Sequence, residues 1–105
     1  MLESDIEGRF KKRIENLNNS VLCLKLTCPG FTGVPDRMIL LPGAHIIFVE
    51  LKKPGKTERK RQLYVQSLLR GLGFEVWAAV NTYEQIELIR ERCRRLLEYE
   101  GIYTT

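Results

Sequence analysis

Apolar residues recur at spacings of three and four at Ile6, Phe10, Ile14 and Leu17, which predicts an amphipathic helix over residues 2–17 with one apolar stripe. Asn16-Leu17-Asn18-Asn19-Ser20 ends it. From Val21 to Thr27 the pattern shortens to partial alternation, with Leu22, Leu24 and Leu26 on one side, as in a strand. Two prolines and two glycines between Cys28 and Pro35 make a loop. Arg37 to Leu41 reads as a second strand, Pro42-Gly43 as a hairpin turn, and His45 to Lys52 as a third strand. Ile46-Ile47-Phe48-Val49 is nearly continuous β-forming sequence, the mark of a central strand covered on both faces. Lys53-Pro54-Gly55-Lys56 breaks it. A helix is predicted from Thr57 to about Arg70, with Leu63, Val65, Leu68 and Leu69 as its apolar contacts and Gly71 as its terminator. Phe74 to Val80 is a fourth strand. A last helix runs from Tyr83 to about Glu98, with Ile86, Ile89, Cys93, Leu96 and Leu97 facing inward.

The strand over 45–52, the helix over 57–70 and the strand over 74–80 form a βαβ unit, so those strands should be parallel. The expected fold class is α/β, a mixed central β-sheet flanked by helices. A chain of 105 residues suits a single domain over 1–105. Seventeen Lys and Arg against thirteen Asp and Glu give a charge of +4, which on its own only tilts toward a polyanionic partner. Cys23, Cys28 and Cys93 have no metal-binding spacing and His45 is the only histidine, which argues against zinc. Core thiols and a reducing compartment fit them. Met1 to Arg13 is charged throughout, unlike a signal peptide, and the longest apolar runs are too short to cross a bilayer. The expectation is a cytoplasmic location and no membrane partner.

The residues suited to chemistry lie around the predicted hairpin. Glu50 and Lys52, two apart on a strand, share one face. Asp36 follows Pro35 at the entry to the preceding strand. A turn centred on 42 and 43 sets residue 50 opposite about residue 35, and a bulge or small register shift would bring Asp36 alongside. Two adjacent carboxylates repel unless a cation or proton relieves them. A hard divalent ion, Mg²⁺ or Mn²⁺, would do so, with the Leu51 carbonyl as a further oxygen. Lys52 would orient an attacking water or stabilise developing negative charge. The plain alternative makes Asp36 a turn cap and Glu50 with Lys52 a solvated strand end. Against it stands the run that follows: six of the ten residues from Lys52 to Arg61 are cationic. Lys53, Lys56, Arg59, Lys60 and Arg61 are therefore candidate phosphate contacts, because the helix dipole does not favour cations at a helix start. Gly33 permits a tight or positive-φ backbone before Pro35 and Asp36. Glu3 and Glu7 lie beside the first helix's apolar stripe. Trp77 and Tyr64 are candidates for base stacking, with core or dimer packing the stronger reading for Trp77. Glu84, Glu87, Glu91 and Glu98 interleave with Arg90, Arg92, Arg94 and Arg95, which reads as a solvated face.

Taken together, Gly33-Val34-Pro35-Asp36-Arg37, Phe48-Val49-Glu50-Leu51-Lys52, Gln62 with Tyr64, and Gly73-Phe74-x-Val76 resemble the VRR-NUC domain. That domain is a branch of the PD-(D/E)xK nuclease superfamily, and the stand-alone bacteriophage type is the most similar. The resemblance implies a restriction-endonuclease-like fold, metal carboxylates at Asp36 and Glu50, a catalytic lysine at Lys52 and a functional glutamine at Gln62. It also implies a glutamate from the first helix, at Glu3 with Glu7 as the rival. It further implies a Mg²⁺- or Mn²⁺-dependent homodimer that cuts branched DNA, notably Holliday junctions, in the host cytoplasm if phage-encoded. The alternatives are a flap or nicking nuclease and a non-catalytic DNA-binding module.

Overall fold

The computed structural model describes residues 3–53 and 55–102, with side chains from Asp5 onward; residues 1–2, 54 and 103–105 lie outside the described residues. The elements are α1 (Glu3–Glu15), β1 (Leu22–Lys25), β2 (Arg37–Leu41), β3 (His45–Leu51), α2 (Lys60–Gly71), β4 (Glu75–Val80) and α3 (Tyr83–Tyr99). The sheet has the order β1-β2-β3-β4. β1 and β3 flank β2 antiparallel, and β3 pairs with β4 in parallel. The fold is therefore the expected mixed sheet flanked by helices. No described helix is long and apolar enough to cross a membrane.

The main core fills one face of the sheet. Ile6, Phe10 and Ile14 of α1 and Ile86, Ile89 and Leu97 of α3 pack with Ile39, Ile47, Val49 and Leu51 of the central strands. Glu50 and Lys52 alternate with Val49 and Leu51, so they point to the opposite face. There Gln62 of α2 meets both, and Phe48 packs edge-on against Phe74.

Three expectations change in detail. Cys23 is the buried residue of β1, while Leu22 and Leu24 are exposed; the strand turns its leucine side away from the main core. α2 begins at Lys60 rather than Thr57, and Gly71 is its last residue; Leu72 caps the helix and Gly73 takes the positive φ of +96°. Leu63 and Leu68 are exposed, because the inward stripe of α2 is Gln62, Val65, Gln66 and Leu69. Two of those four are polar, and this misleads a reading based on apolar periodicity.

The hairpin loop has three residues, Pro42-Gly43-Ala44. Leu41 pairs with His45, and Arg37 with Val49. Gly43 and Ala44 both take positive φ, +86° and +63°. Continuing the ladder by one step sets residue 36 opposite residue 50. The loop's third residue thus supplies the shift that brings the two carboxylates face to face.

Candidate active site

Asp36 is held through both its backbone and its side chain. Its carbonyl accepts from the Leu26 N–H at 2.8 Å, and its Oδ1 accepts from the Leu51 N–H at 2.9 Å. The side chain thereby extends the β2–β3 ladder by one rung. In an extended residue the N–H and C=O turn to the same neighbour, so the Leu51 carbonyl also lies on the Asp36 side.

On the other side of β3 the ladder with β4 is irregular. Val49 pairs with Trp77 but Leu51 with Val80, so β4 inserts an extra residue opposite Glu50. Ala79, at φ +54°, marks this bulge. Pairing resumes at once, with the Lys52 N–H donating to the Val80 carbonyl at 2.8 Å.

Glu50 is 4% exposed. Burial, together with a hydrogen bond to Asp36 and its negative charge, pushes the Glu50 carboxyl up to about 8, against a smaller opposing pull from Lys52. Gln62 joins the group. Its Nε2 donates to Glu50 Oε1 at 2.9 Å, and its Oε1 accepts from Lys52 Nζ at 2.9 Å. The same Oε1 accepts from the Arg59 N–H at 2.9 Å, capping α2. One amide thus fixes the start of the helix, a buried carboxyl and an ammonium. This triple role explains why α2 starts at Lys60: Gln62 must stand in the first turn to reach all three.

The donor set fits a hard cation. Two carboxyls are brought together at a cost in repulsion, one of them buried, and a backbone carbonyl lies beside them; all are oxygen donors of the kind Mg²⁺ and Mn²⁺ prefer. Among the described residues no three His, Cys, Asp or Glu side chains gather, so the other positions would fall to Leu51, water and substrate oxygens.

Two comparisons with known proteins bear on this geometry, and no protein-family model matches the chain. The chain is 36% identical over 74 residues to "Putative nuclease p44" of Acyrthosiphon pisum secondary endosymbiont phage 1, covering 70% of this chain and 77% of that protein. It also superposes on a solved structure described as "VRR_NUC domain" with a TM-score of 0.75 and 30% identity, covering 85% of this chain and 94% of that one. The chain belongs to the VRR_NUC family. It is accordingly a nuclease of the PD-(D/E)xK superfamily.

Of the residues the sequence singled out in this VRR_NUC chain, the structure brings Asp36, Glu50, Leu51, Lys52 and Gln62 together. Glu3 opens α1, but its side chain lies outside the described residues; Glu7 is half-buried one turn on. Lys53, Lys56, Arg59, Lys60 and Arg61 are all exposed along the β3–α2 connection and the first turn of α2. In α3, Arg94 pairs with Glu91 and Glu98, Arg95 with Glu91, and Arg92 with Glu75, as expected of a solvated face. Trp77 packs on the core and donates to Glu75 at 2.8 Å. Cys23 and Cys93 are buried thiols, pushed by that burial to about 11 and about 12.

Sequence reasoning missed Gln66 and Arg37. Gln66, 2% exposed and one turn beyond Gln62, donates to Glu58; its signal was the four-residue glutamine spacing inside an otherwise apolar stripe. Arg37 is 7% exposed, and its Nε has no partner among the described residues.

Gly33 is required sterically. Its φ is +90°, and a Cβ there would lie 2.8 Å from Arg61 Cγ and 2.9 Å from the Arg61 carbonyl oxygen. Gly33→Ala is expected to destabilise the protein by about 1–3 kcal/mol, because it adds backbone strain to a clash with backbone. Urea unfolding at fixed pH checks this, and an unchanged midpoint would contradict it.

Proposed function

We propose that the chain is a single-domain, Mg²⁺- or Mn²⁺-dependent endonuclease that hydrolyses phosphodiester bonds of branched DNA, Holliday junctions first among them, as a homodimer. The observation that carries the reading is the Gln62 bridge between Glu50 and Lys52, with Asp36 across the hairpin. Asp36, Glu50 and the Leu51 carbonyl would hold the metal. When bound, the ion supplies positive charge that eases ionisation of water and offsets charge on the phosphoryl oxygens.

The chain's own residues do the rest. Asp36, anchored on the Leu51 N–H, keeps one carboxylate in a fixed orientation. Glu50, whose proton relieves its repulsion with Asp36, would release that proton to solvent when a cation takes over the same task. Lys52 has its ammonium steered by Gln62 toward the carboxyls. From there it can donate to the attacking water or to the oxygen on which negative charge grows. The exposed cations Lys53, Lys56, Arg59, Lys60 and Arg61 hold neighbouring phosphates.

The dimer reading draws on the family and on exposed apolar side chains at Leu22, Leu24, Leu63, Leu68 and Leu72. Two sites related by a two-fold axis suit paired cuts in a symmetric junction. The test is cleavage of a labelled four-way junction beside flap and linear duplex substrates, with gel filtration of the same sample. Paired cuts at the junction by a particle of twice the 12.2 kDa chain mass are expected. Preferential flap cutting by a monomer would replace the junction reading with that of a flap nuclease.

A further inference from the structure

A second built feature adjoins the candidate centre. The loop before Asp36 folds over the start of α2 and leaves a cavity of about 320 Å³ lined by Thr32, Gly33, Val34, Arg59, Arg61 and Gln62. Gln62 belongs both to this cavity and to the bridge between Glu50 and Lys52. At its rim the Arg61 guanidinium carbon sits 4.8 Å from the Phe31 ring centroid and 5.3 Å from that of Tyr64. Arg61 Nε donates to the Thr32 carbonyl at 3.0 Å, which fixes the plane of the group. The two rings are 45% and 54% exposed.

Two exposed aromatics around an oriented guanidinium present flat apolar faces together with positive charge. A nucleotide offers the matching parts: a base with a π-face and a phosphate. A base inside a duplex has both faces covered by its neighbours, whereas an unpaired base has a face free to stack. The geometry points to Phe31, Arg61 and Tyr64 as a shelf for an unpaired base beside the bond to be cut, with the cavity receiving its sugar and phosphate. This inference rests on the DNA-nuclease reading above. It gives that reading a source of structure selectivity, since branch points and flap bases expose such nucleotides and continuous duplex does not.

The test is fluorescence anisotropy in chelator, so that no strand is cut. A two-strand DNA duplex with a four-nucleotide single-stranded tail, 5′ in one set and 3′ in another, is compared with the blunt duplex. Wild type should prefer one of the tailed forms. Tyr64→Leu and Phe31→Leu, which keep apolar bulk but lose the aromatic face, should each lower the tailed-to-blunt affinity ratio about tenfold. An abasic residue at the first unpaired position should lower wild-type binding by a similar factor and add little to the loss in Tyr64→Leu. Two results would overturn the shelf alone: equal wild-type affinity for tailed and blunt DNA, or variants that keep the wild-type ratio. Wild type binding neither DNA would remove the DNA-nuclease reading with it.

Discussion

Glu50→Gln is expected to do two opposite things: abolish metal-dependent cutting and make the metal-free protein harder to unfold at alkaline pH. Both follow from a carboxyl that is 4% exposed and pushed from an ordinary 4.5 to about 8 by burial and by Asp36. Below pH 4.5 the folded and unfolded chains both carry the proton, and the group contributes nothing to stability. Between 4.5 and about 8 the unfolded chain has released its proton while the folded chain keeps it, so stability falls as pH rises through this window. The ceiling on the loss is about 5 kcal/mol. Glutamine keeps an oxygen to accept from Gln62 and never ionises. In chelator at pH 8.5 the variant should therefore melt roughly 5–10 °C above wild type, with the gap closing toward pH 4.5. Its cleavage should fall about a thousandfold or more, because a neutral amide removes one of the two charges that would hold the cation. A variant that melts below wild type at pH 8.5 would show that the buried carboxyl is not held at the expense of stability.

Lys52→Ala should separate chemistry from metal binding. The ammonium is held on Gln62 Oε1, so its loss leaves both carboxyls and the Leu51 N–H contact with Asp36 in place. Removing one positioned donor of this kind typically costs a factor of about 10²–10³ in rate. The expected result is that loss in single-turnover cleavage, with Mn²⁺ affinity by calorimetry within about threefold of wild type. A matching collapse of Mn²⁺ affinity would recast Lys52 as a group that organises the carboxyls rather than one that acts on the reacting atoms.

Much of this was legible in the sequence, and the exceptions share a cause. Apolar periodicity located every element, and the i, i+2 rule put Glu50 and Lys52 on one face. What it could not supply was the turn geometry. A Pro-Gly pair suggests a two-residue loop, and only the positive φ of Ala44 extends the turn and sets residue 36 opposite 50. The bulge at Ala79 likewise has no marker in the run Trp77-Ala78-Ala79-Val80. The inner stripe of α2 misled the reading because Gln62 and Gln66 occupy positions where apolar residues would otherwise pack, each bonded to a glutamate. Leu63 and Leu68 are left outside as a result. Of the two glutamines, Gln62 belongs to the candidate site, and buried polar residues of this kind break the apolar pattern on which such a reading depends.

Asp36, Glu50, Lys52 and Gln62 are proposed to form one metal-dependent phosphodiesterase centre. Its most direct test is single-turnover cutting of an end-labelled four-way junction by purified wild-type protein, in Mg²⁺, in Mn²⁺ and in chelator, with Lys52→Ala run alongside. Discrete cuts with either metal, none in chelator, and a loss of at least a hundredfold in the variant are expected. Cutting that persists in chelator, or that survives in Lys52→Ala at the wild-type rate, would contradict this assignment.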